Sequence, residues 1–324
     1  MGIAILGTGA YLPERVVTNQ DLEKIVDTTD EWIRTRTGIS TRHIGGQGDE
    51  TYLLAARAAA NALQMAEVSA GEIDLIIVAT ISSHMLMPSC ACFVQKELGA
   101  NRAFAFDINA ACSGFVYALD LADKYIQADP SKKILVIGAE ALSSRTNWED
   151  RNTCILFGDG AGAVILGYVE GSRGIMGSKL FSDGKLWSLL HMHTAPSCNP
   201  ELLQSGNPGV HIVMEGREVF KYAVKAMEEA ILALLEQEQV VLDAIKLIIP
   251  HQANIRILNN LVERLGISAE KVFINVQKYG NTSAASIPIA LDEANRDSRV
   301  EAGDIVLLCS FGGGFTWGAT LIRW

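Results

Sequence analysis

The sequence has no long hydrophobic run and no excess of positive charge. Its 324 residues include 27 lysines and arginines against 37 aspartates and glutamates, which gives a formal net charge of −10. This balance disfavours nucleic acid or an anionic membrane as the main partner. No apolar stretch approaches the length of about 20 residues that a membrane-spanning helix needs. The opening residues, MGIAILGTGA, lack the basic start and long apolar run of a secretory signal, so we expect none.

Cysteine is also scarce. The six cysteines are spread along the chain at positions 90, 92, 112, 154, 198 and 309. Disulfide frameworks are typical of short secreted domains, so we expect reduced thiols and a cytoplasmic location. Cys90 and Cys92 are too close together for a structural zinc site, and no carboxylate or cysteine completes a metal site with His191 and His193. We therefore expect no metal.

What the sequence does contain is an alternation of short apolar runs and longer amphipathic runs. Three runs typical of strands are IDLIIVAT (73–80), FAFDI (104–108) and KKILVIGAE (132–140). Helical spacing is found over residues 51–65, 114–128 and 217–238. Continuous apolar strands with helices between them predict an α/β fold with a parallel sheet covered on both faces.

The alternation occurs twice along the chain. Three short matches share nearly one offset: IDLII at 73 with IKLII at 245, ALD at 118 with ALD at 290, and ILVI at 134 with IVLL at 305. The first two matches are 172 positions apart and the third 171. A shared offset predicts two homologous halves, residues 1–170 and 171–324. No linker rich in proline or serine separates them, so we expect the halves to pack as one body.

One cysteine lies where a strand pattern becomes a helix pattern, in DINAACSGF (107–115). The N-terminus of a helix offers free N–H groups and positive potential, which lower the pKa of a thiol. A cysteine in an apolar run is often only a small core residue, but the small neighbours here would let a substrate reach the sulfur, and we favour Cys112 as a nucleophile. The matching junction of the second half, KYGNTSAAS (278–286), carries Asn281. Helix N-termini related by a two-fold axis would bring both residues to one site.

Two further features follow apolar strands of the second half. His251 comes directly after the strand LII (247–249), at the end where open α/β sheets bind ligands. The alternative is a helix-entry residue bonded to the backbone. FGGGFTWGA (311–319) follows the strand DIVLLCS, and its three consecutive glycines would let backbone N–H groups approach a developing oxyanion. A tight turn is the alternative for this loop.

Glycine patterns elsewhere do not indicate a dinucleotide site. GTG at 7–9 and GDGAG at 158–162 both fail to complete G-x-G-x-x-G, and neither has the acidic residue expected about 20 positions later in the right strand context. We read them as turns and close-packing glycines. No redox cofactor is expected.

Together these motifs resemble the β-ketoacyl-acyl carrier protein synthase III family of thiolase-fold condensing enzymes. The family's signatures occur in order along the chain: GTGAYLPE (7–14), DEWIRTRTGI (30–39), AACSGF (110–115), FGDGAGA (157–163), PHQANIRI (250–257), GNTSAAS (280–286) and FGGGFTWG (311–318). The resemblance implies a thiolase-like α/β fold whose two homologous halves pack as a layered α/β/α/β/α body. It also implies a homodimer that initiates bacterial fatty acid synthesis.

The activity implied by the resemblance is a decarboxylating Claisen condensation. Cys112 would accept an acyl group from acetyl-CoA or another short-chain acyl-CoA, and its N–H and the loop Gly312–Gly314 (Gly312, Gly313 and Gly314) would hold the oxyanion. His251 and Asn281 would stabilise the enolate formed when malonyl-acyl carrier protein loses carbon dioxide. The carbanion would then attack the thioester on Cys112. This chemistry needs neither a metal nor a redox cofactor.

The resemblance also implies binding residues. Coenzyme A would be held by Trp32, Arg36 and Arg151, and its pantetheine arm by Asn254. Further substrate-binding positions are Leu142, Phe220, Phe311 and Met87. Met87 would come from the partner subunit and close the acyl pocket, where acetyl-specific enzymes often have phenylalanine. An adaptable methionine predicts better tolerance of propionyl- or butyryl-CoA.

An acidic carrier protein needs a local basic surface, because the chain as a whole is negative. Arg217, Lys221 and Lys225 are spaced i, i+4 and i+8, which predicts a basic stripe on one helix. Arg256 falls in the first turn of the next helix, where a cation opposes the helix dipole. We predict carrier docking on these four residues and Gln252, with a solvated surface as the alternative.

Three alternatives remain open. A thiolase would use a second cysteine in the glycine-rich loop, but Cys309 lies one position too far from the glycines for C-x-G-G-G. A relative that makes alkylquinolones or polyketides would share the same three catalytic residues. An inactive acyl-CoA-binding protein is disfavoured because Cys112, His251 and Asn281 are all present.

Overall fold

The computed structural model describes residues 2–194 and 209–324. Cys198, one of the predicted thiols, lies outside these ranges; the other five cysteines are free thiols. None of the helices in the described ranges is both long and apolar enough to cross a membrane.

The described residues form thirteen strands and nine helices. In chain order the strands are β1 (Gly2–Tyr11), β2 (Val16–Thr18), β3 (Thr41–His43), β4 (Leu75–Ala79), β5 (Phe104–Ile108), β6 (Ile134–Ala141), β7 (Asp159–Val169), β8 (Gly174–Ser182), β9 (Leu190–Met192), β10 (Ile212–Met214), β11 (Ile245–Pro250), β12 (Ile305–Gly312) and β13 (Thr316–Arg323). The helices are α1 (Asn19–Leu22), α2 (Asp30–Thr37), α3 (Thr51–Ala66), α4 (Cys90–Leu98), α5 (Gly114–Ala128), α6 (Gly216–Glu238), α7 (Ile255–Leu265), α8 (Val276–Tyr279) and α9 (Ser286–Arg296). The strand and helix runs read from the sequence agree with these bounds to within two residues.

Two mixed sheets organise the molecule. The first has the strand order β1-β7-β6-β4-β5, and the second has the order β8-β13-β12-β11. Strands β5, β4 and β6 are parallel to one another, as are β11 and β12, whereas β1, β7, β8 and β13 pair antiparallel. The prediction of a parallel sheet is therefore wrong for these four strands. In β12 and β13 the reason is local, because only residues 313–315 connect them and so short a connection must reverse the chain.

The two halves of the chain repeat one arrangement. The order β1-β7-β6-β4 of the first sheet corresponds to β8-β13-β12-β11 of the second, and the counterpart of β5 is reduced to a parallel bridge between Ile248 and Val272. The 3-10 turns Ala111–Ser113 and Ser283–Ala285 precede α5 and α9. These turns begin 172 positions apart, the offset found in the sequence repeats. The two-halved architecture is confirmed, while the boundary between residues 170 and 171 stays a prediction.

The layers follow from which apolar faces pack together. Helices α5 and α9 lie between the two sheets, where Phe115, Leu119, Ile287 and Leu291 are buried in a core that takes residues from both sheets. Helices α3 and α4 cover the outer face of the first sheet, and α6 and α7 cover the outer face of the second. The result is the α/β/α/β/α order implied by the resemblance. Since one core is shared by both halves, they form one body.

The two 3-10 turns are pressed together in the middle of this body. A Cβ added at Gly114 would lie 2.9 Å from the Cβ of Ala79 and 3.7 Å from the Cβ of Ala284. The start of α5, directly after the first turn, thus contacts both the end of β4 and the second turn. Each turn also packs against a strand of the central layers, the first against β12 and the second against β6. This junction is where the functional site is built.

Candidate active site

A cavity of about 1390 Å³ opens over the two turns. Its lining includes Cys112, His251 and Asn281, together with Gly313 and Gly314 of the loop between β12 and β13. The residues come from four segments that are far apart in the chain. The structure therefore brings together the three side chains and the glycine loop that the sequence singled out.

Cys112 is the second residue of the turn that precedes α5. Ala111, just before it, has a φ of +46°, a left-handed conformation that is unusual for a residue with a side chain. The turn is held to β13 by two hydrogen bonds: the Ser113 hydroxyl donates to the Thr316 carbonyl over 3.0 Å, and the Thr316 hydroxyl donates to the Ala110 carbonyl over 2.8 Å. Surrounding structure therefore maintains the strained backbone beside the thiol.

The glycine loop approaches the backbone of Cys112 very closely. A Cβ added at Gly312 would lie 2.6 Å from the backbone nitrogen of Cys112 and 3.1 Å from that of Ser113. Gly314 has a φ of +138°, which residues with side chains rarely adopt. Glycine is thus required at both positions for the loop to lie against the turn. This arrangement places the Cys112 N–H beside the loop, as an oxyanion site needs.

His251 follows β11 and is 4% exposed. Its Nδ1 lies 2.7 Å from the hydroxyl oxygen of Ser286, the first residue of α9. The same oxygen accepts the backbone N–H of Gln252 over 3.3 Å. A serine that accepts this N–H and donates its own proton to Nδ1 leaves the imidazole proton on Nε2. Burial lowers the pKa of His251 to about 4, so the ring is neutral at neutral pH.

Asn281 is fixed through its backbone and its side chain. Its N–H donates to the Leu156 carbonyl over 2.8 Å, and its carbonyl accepts the Gly158 N–H over 3.1 Å. The side-chain Oδ1 accepts the Ser283 N–H over 2.8 Å. That last bond orients the amide with its NH₂ group on the side away from Ser283. Asn281 is therefore a fixed hydrogen-bond donor in the cavity wall.

The ionisation of Cys112 differs from the sequence-based prediction. A helix N-terminus was expected to lower the pKa of the thiol, but burial raises it to about 12, and the neighbouring Ser283 hydroxyl opposes only part of that rise. The reason is that a thiolate loses its hydration when the sulfur is buried. The prediction of a lowered pKa is wrong for the protein without substrate.

The three predicted coenzyme A residues lie together. The guanidinium carbon of Arg36 is 4.7 Å from the centroid of the Trp32 indole, and that of Arg151 is 5.0 Å from it. Trp32 and Arg36 line the cavity. Arg151 also donates to the Asp27 carbonyl over 3.1 Å. Two cations thus flank one aromatic ring at the edge of the cavity.

The other predicted substrate-binding residues are distributed along the cavity wall. Leu142, Phe220, Phe311 and Asn254 all line it. Asn254 is also the N-cap of α7, because its side-chain oxygen accepts the Ile257 N–H over 3.0 Å. Its position in the wall is therefore set by the start of that helix.

Met87 does not line the cavity of its own chain. It lies on the segment between β4 and α4 with 84% of its surface exposed. Met85 and Leu86 of the same segment do line the cavity.

Four of the five predicted carrier-docking residues are exposed cations. Arg217, Lys221 and Arg256 line the cavity edge, and Lys225 lies one turn further along α6. The Arg256 guanidinium lies 5.6 Å from the Phe220 ring centroid. Lys221 forms an ion pair with Glu218 over 2.7 Å.

The prediction that Gln252 contacts the carrier protein is wrong. Gln252 is only 1% exposed, so it cannot contact a docked protein. Its Nε2 donates to the carbonyls of Pro250 and Phe273 over 2.8 Å and 3.0 Å. Its Oε1 accepts the N–H groups of Asn275 and Val276 over 3.0 Å and 3.2 Å. Gln252 instead holds the end of β11 to the segment that leads into α8.

His191 and His193 pack edge to face with their ring centroids 5.0 Å apart. Both line the cavity. Within residues 2–194 and 209–324, no group of three histidine, cysteine, aspartate or glutamate side chains is placed to hold a metal ion.

Three polar residues of the site were missed by the sequence analysis: Ser286, Ser283 and Glu140. Ser286 supports His251, and Ser283 lines the cavity beside Cys112. Glu140 is fully buried near the end of β6. The signal for Glu140 was present, since a carboxylate at the end of an apolar strand run is seldom buried without a polar partner or a use.

Comparison with known proteins identifies the relatives of this chain. Residues 106–184 match the family described as 3-oxoacyl-[acyl-carrier-protein (ACP)] synthase III, and residues 235–324 match the family of its C-terminal part. The β-ketoacyl-[acyl-carrier-protein] synthase III of Desulfotalea psychrophila is 61% identical over 324 residues, 100% of both chains.

Solved structures of the same class share the fold. The crystal structure of 3-oxoacyl-[acyl-carrier-protein] synthase III from Aquifex aeolicus is 51% identical, covers 100% of both chains and has a TM-score of 0.93. The β-ketoacyl-[acyl carrier protein] synthase III structure from Thermus thermophilus is 43% identical over 99% of both chains, also with a TM-score of 0.93. The layered thiolase-like fold implied by the sequence resemblance is thus confirmed.

The depressed pKa of His251 predicts a pH dependence of stability. The unfolded chain binds a proton at this histidine below a pKa of about 6.5, but the folded protein does so only below about 4. Its contribution to stability is therefore complete above pH 6.5 and is lost as the pH falls towards 4. We expect the drop in free energy of unfolding between pH 7 and pH 4.5 to be about 2 kcal/mol smaller in His251→Gln than in the wild type. Urea unfolding at each pH measures it.

The control for this measurement is His211→Gln, because His211 is exposed. It should follow the wild-type pH dependence. A His251→Gln variant whose stability falls with pH as steeply as that of the wild type would contradict the assignment.

Proposed function

The chain belongs to the 3-oxoacyl-[acyl-carrier-protein] synthase III family, and on this premise we propose that it is the acyltransferase that condenses a short-chain acyl-CoA with malonyl-acyl carrier protein. The product is a 3-oxoacyl-acyl carrier protein, and the reaction initiates fatty acid synthesis. The meeting of Cys112, His251, Asn281 and the glycine loop in one cavity carries this proposal. The secondary-metabolism alternative is not favoured, because relatives up to 61% identical over the whole chain are synthases III.

The first half-reaction loads the acyl group onto Cys112. The sulfur attacks the thioester carbonyl of acyl-CoA, the bond from that carbon to the coenzyme A sulfur breaks, and coenzyme A leaves as its thiol. The oxyanion formed in between is held by the Cys112 N–H and the Gly312–Gly314 loop. Support comes from the close approach of Gly312 to the Cys112 nitrogen. Preorganised donors of this kind stabilise the transition state because they need no reorientation.

Coenzyme A is held at the cavity edge by Trp32, Arg36 and Arg151. An indole face can stack on adenine, and guanidinium groups can bind phosphates. Both guanidiniums now lie near the Trp32 ring, at 4.7 and 5.0 Å from its centroid. We infer that one of them moves away when adenine stacks on the indole. Asn254, which lines the same cavity, would contact the pantetheine arm.

The second half-reaction forms the carbon–carbon bond. The Nε2–H of His251 and the NH₂ of Asn281 donate hydrogen bonds to the thioester carbonyl of the malonyl group. As carbon dioxide leaves, the electron pair enters an enolate whose oxygen these two donors stabilise. The enolate carbon then attacks the acyl-Cys112 carbonyl, and the cysteine sulfur departs as a thiolate that takes up one proton to restore the thiol. The low pKa of His251 supports this assignment, since a neutral imidazole can donate a hydrogen bond without giving up its proton. The electron pair resides on the substrate itself, so we expect no metal or redox cofactor.

We also propose that the protein is a cytoplasmic homodimer. Strand β5 is at the edge of the first sheet, and its Phe104 is 47% exposed. Leu86 and Met87 are 90% and 84% exposed on the segment before α4. Pairing of two such edges would cover these side chains and bring Met87 of the partner subunit to the acyl pocket. Leu142, Phe220 and Phe311 form the part of that pocket within one chain.

The proposed function predicts a covalent acyl-enzyme on Cys112. Incubation of the protein with acetyl-, propionyl- and butyryl-CoA should add the mass of the acyl group to the intact wild-type chain, as measured by mass spectrometry. Cys112→Ala should gain no mass. Cys92→Ala is the matched control because Cys92 is an exposed free thiol, and it should be acylated like the wild type. An acyl adduct on Cys112→Ala would refute the assignment.

His251 and Asn281 are predicted to act in the second half-reaction only. His251→Ala and Asn281→Ala should each reduce carbon dioxide release from malonyl-acyl carrier protein by about 10²–10³-fold, because each removes one donor to the enolate oxygen. Acylation of Cys112 should be reduced much less. Rates of carbon dioxide release and of mass gain separate the two steps. Normal decarboxylation in both variants would show that the roles are misassigned.

The exposed cations at the cavity edge are predicted to bind the carrier protein. Lys221→Glu and Arg256→Glu should raise the KM for malonyl-acyl carrier protein and leave acylation by acyl-CoA nearly unchanged. The effect should shrink as salt is added, because exposed charges are screened over about 10 Å at 0.1 M salt. Lys246→Glu is the control, since Lys246 is exposed at the opposite end of β11 from His251. Equal damage to both half-reactions would argue against docking.

A further inference from the structure

A buried carboxyl group lies below the nucleophile and is not used in the mechanism above. Glu140 is 0% exposed, near the end of β6. Its Oε2 accepts hydrogen bonds from the hydroxyls of Ser82 and Thr80 over 2.5 Å and 3.3 Å, and from the Ile81 N–H over 3.2 Å. Its other oxygen, Oε1, is buried without a hydrogen-bond partner. Three hydrogen bonds therefore hold Oε2 in place, whereas none holds Oε1.

The 3-10 turn that carries Ser283 packs against β6, which carries Glu140, and against the turn that carries Cys112. The Ser283 hydroxyl is close enough to both groups to lower the pKa of each, yet its Oγ is buried and makes no hydrogen bond of normal geometry. The 3-10 turn that carries Ser283 is pressed against β6, since a Cβ at Gly138 would lie 2.2 Å from the Ala284 carbonyl oxygen. Ser283 also has a left-handed backbone, with a φ of +48°. A hydroxyl can both accept and donate a proton, which suits a position near two acids.

The charges around Glu140 are few. The ionisable groups that face it are the thiols of Cys112 and Cys90, and its negative charge raises the pKa of both. Across residues 2–194 and 209–324, no lysine, arginine or histidine forms an ion pair with it. Burial raises the pKa of Glu140 to about 7. The carboxyl is thus divided between its charged and neutral forms near neutral pH.

We propose that Glu140 accepts the Cys112 thiol proton through the Ser283 hydroxyl when Cys112 attacks acyl-CoA. This inference rests on the proposed function. The S–H bond of Cys112 breaks as its proton passes to the Ser283 oxygen, and the original hydroxyl proton of Ser283 passes to Oε1 of Glu140. When the departing coenzyme A sulfur is protonated, Glu140 returns one proton. Acyl-CoA and thiol thus become thioester and coenzyme A with no net proton gained or lost.

The relay would offset the cost of forming a thiolate at the buried Cys112. A thiolate formed next to a carboxylate would place two negative charges in one desolvated space. Transfer of the proton to Glu140 keeps the number of negative charges at one. The charge is on the Glu140 carboxylate before the step and on the Cys112 sulfur after it. His251 is the less suitable acceptor, because its Nδ1 is bonded to Ser286 and burial opposes protonation of the ring.

The test is the pH dependence of Cys112 alkylation by iodoacetamide, a probe that reacts with the thiolate and does not need acyl-CoA binding. In the intact wild-type protein the rate, followed by mass spectrometry between pH 5.5 and 9, should bend near pH 7, where Glu140 loses its proton. Glu140→Gln should lose this bend and react at least about tenfold more slowly at pH 7.5, as loss of a general base requires. Ser283→Ala should give the same result with the carboxyl intact, and Glu140→Asp should keep the bend.

The sign of the change separates a relay from a neighbouring charge. If Glu140 only repels the thiolate, Glu140→Gln lowers the pKa of the thiol and alkylation becomes faster, which would overturn the proposal. Unchanged alkylation in Ser283→Ala would also overturn it, and this variant decides alone if Glu140→Gln does not fold. Ser310→Ala is the matched control, because Ser310 is another buried hydroxyl without a hydrogen bond and should react like the wild type. Failure of the wild type to form an acyl adduct would instead refute the proposed function.

Discussion

The contact between the two 3-10 turns, Ala111–Ser113 and Ser283–Ala285, is the constraint on which the site depends. Each turn is held by the sheet behind it and by the other turn, with Gly114 close to both Ala79 and Ala284. No flexible segment intervenes between this contact and the catalytic groups: Cys112 is in the first turn, Asn281 bonds to the second through Ser283, and Ser286 supports His251. Because the helices that follow are buried between two sheets, a shift of either turn would have to move the core.

Burial shifts the pKa values of the acids and of the base at this junction in opposite directions. It raises the pKa of Cys112 and of Glu140 and lowers the pKa of His251. In each case burial disfavours the charged form. In the proposed reaction, fixed N–H donors stabilise the negative charge that appears on the substrate. Cationic side chains, among them Arg36 and Arg217, also line the cavity.

The sequence was sufficient for local structure and for the chemical groups, and insufficient for what burial does to them. The runs 104–108 and 114–128 coincide with β5 and α5 because their hydrophobic pattern is local and strong. The repeat offset of 172 locates both turns. In contrast, the inward orientation of Gln252, the high pKa of Cys112 and the interplay of Glu140 with Ser283 depend on residues more than 20 positions away in the chain. No local pattern reports such contacts.

The shared left-handed backbone of Ala111 and Ser283 has a consequence for how the two halves divide their work. Both residues open equivalent turns, yet the residue that follows is Cys112 in one half and Ala284 in the other. Both halves keep the same turn backbone, but only the turn of the first half carries the nucleophilic cysteine, Cys112. His251 and Asn281 belong to the second half. Neither half is a smaller version of the whole. The two halves have diverged to hold different catalytic groups in one polypeptide, so loss of either half would remove the whole reaction.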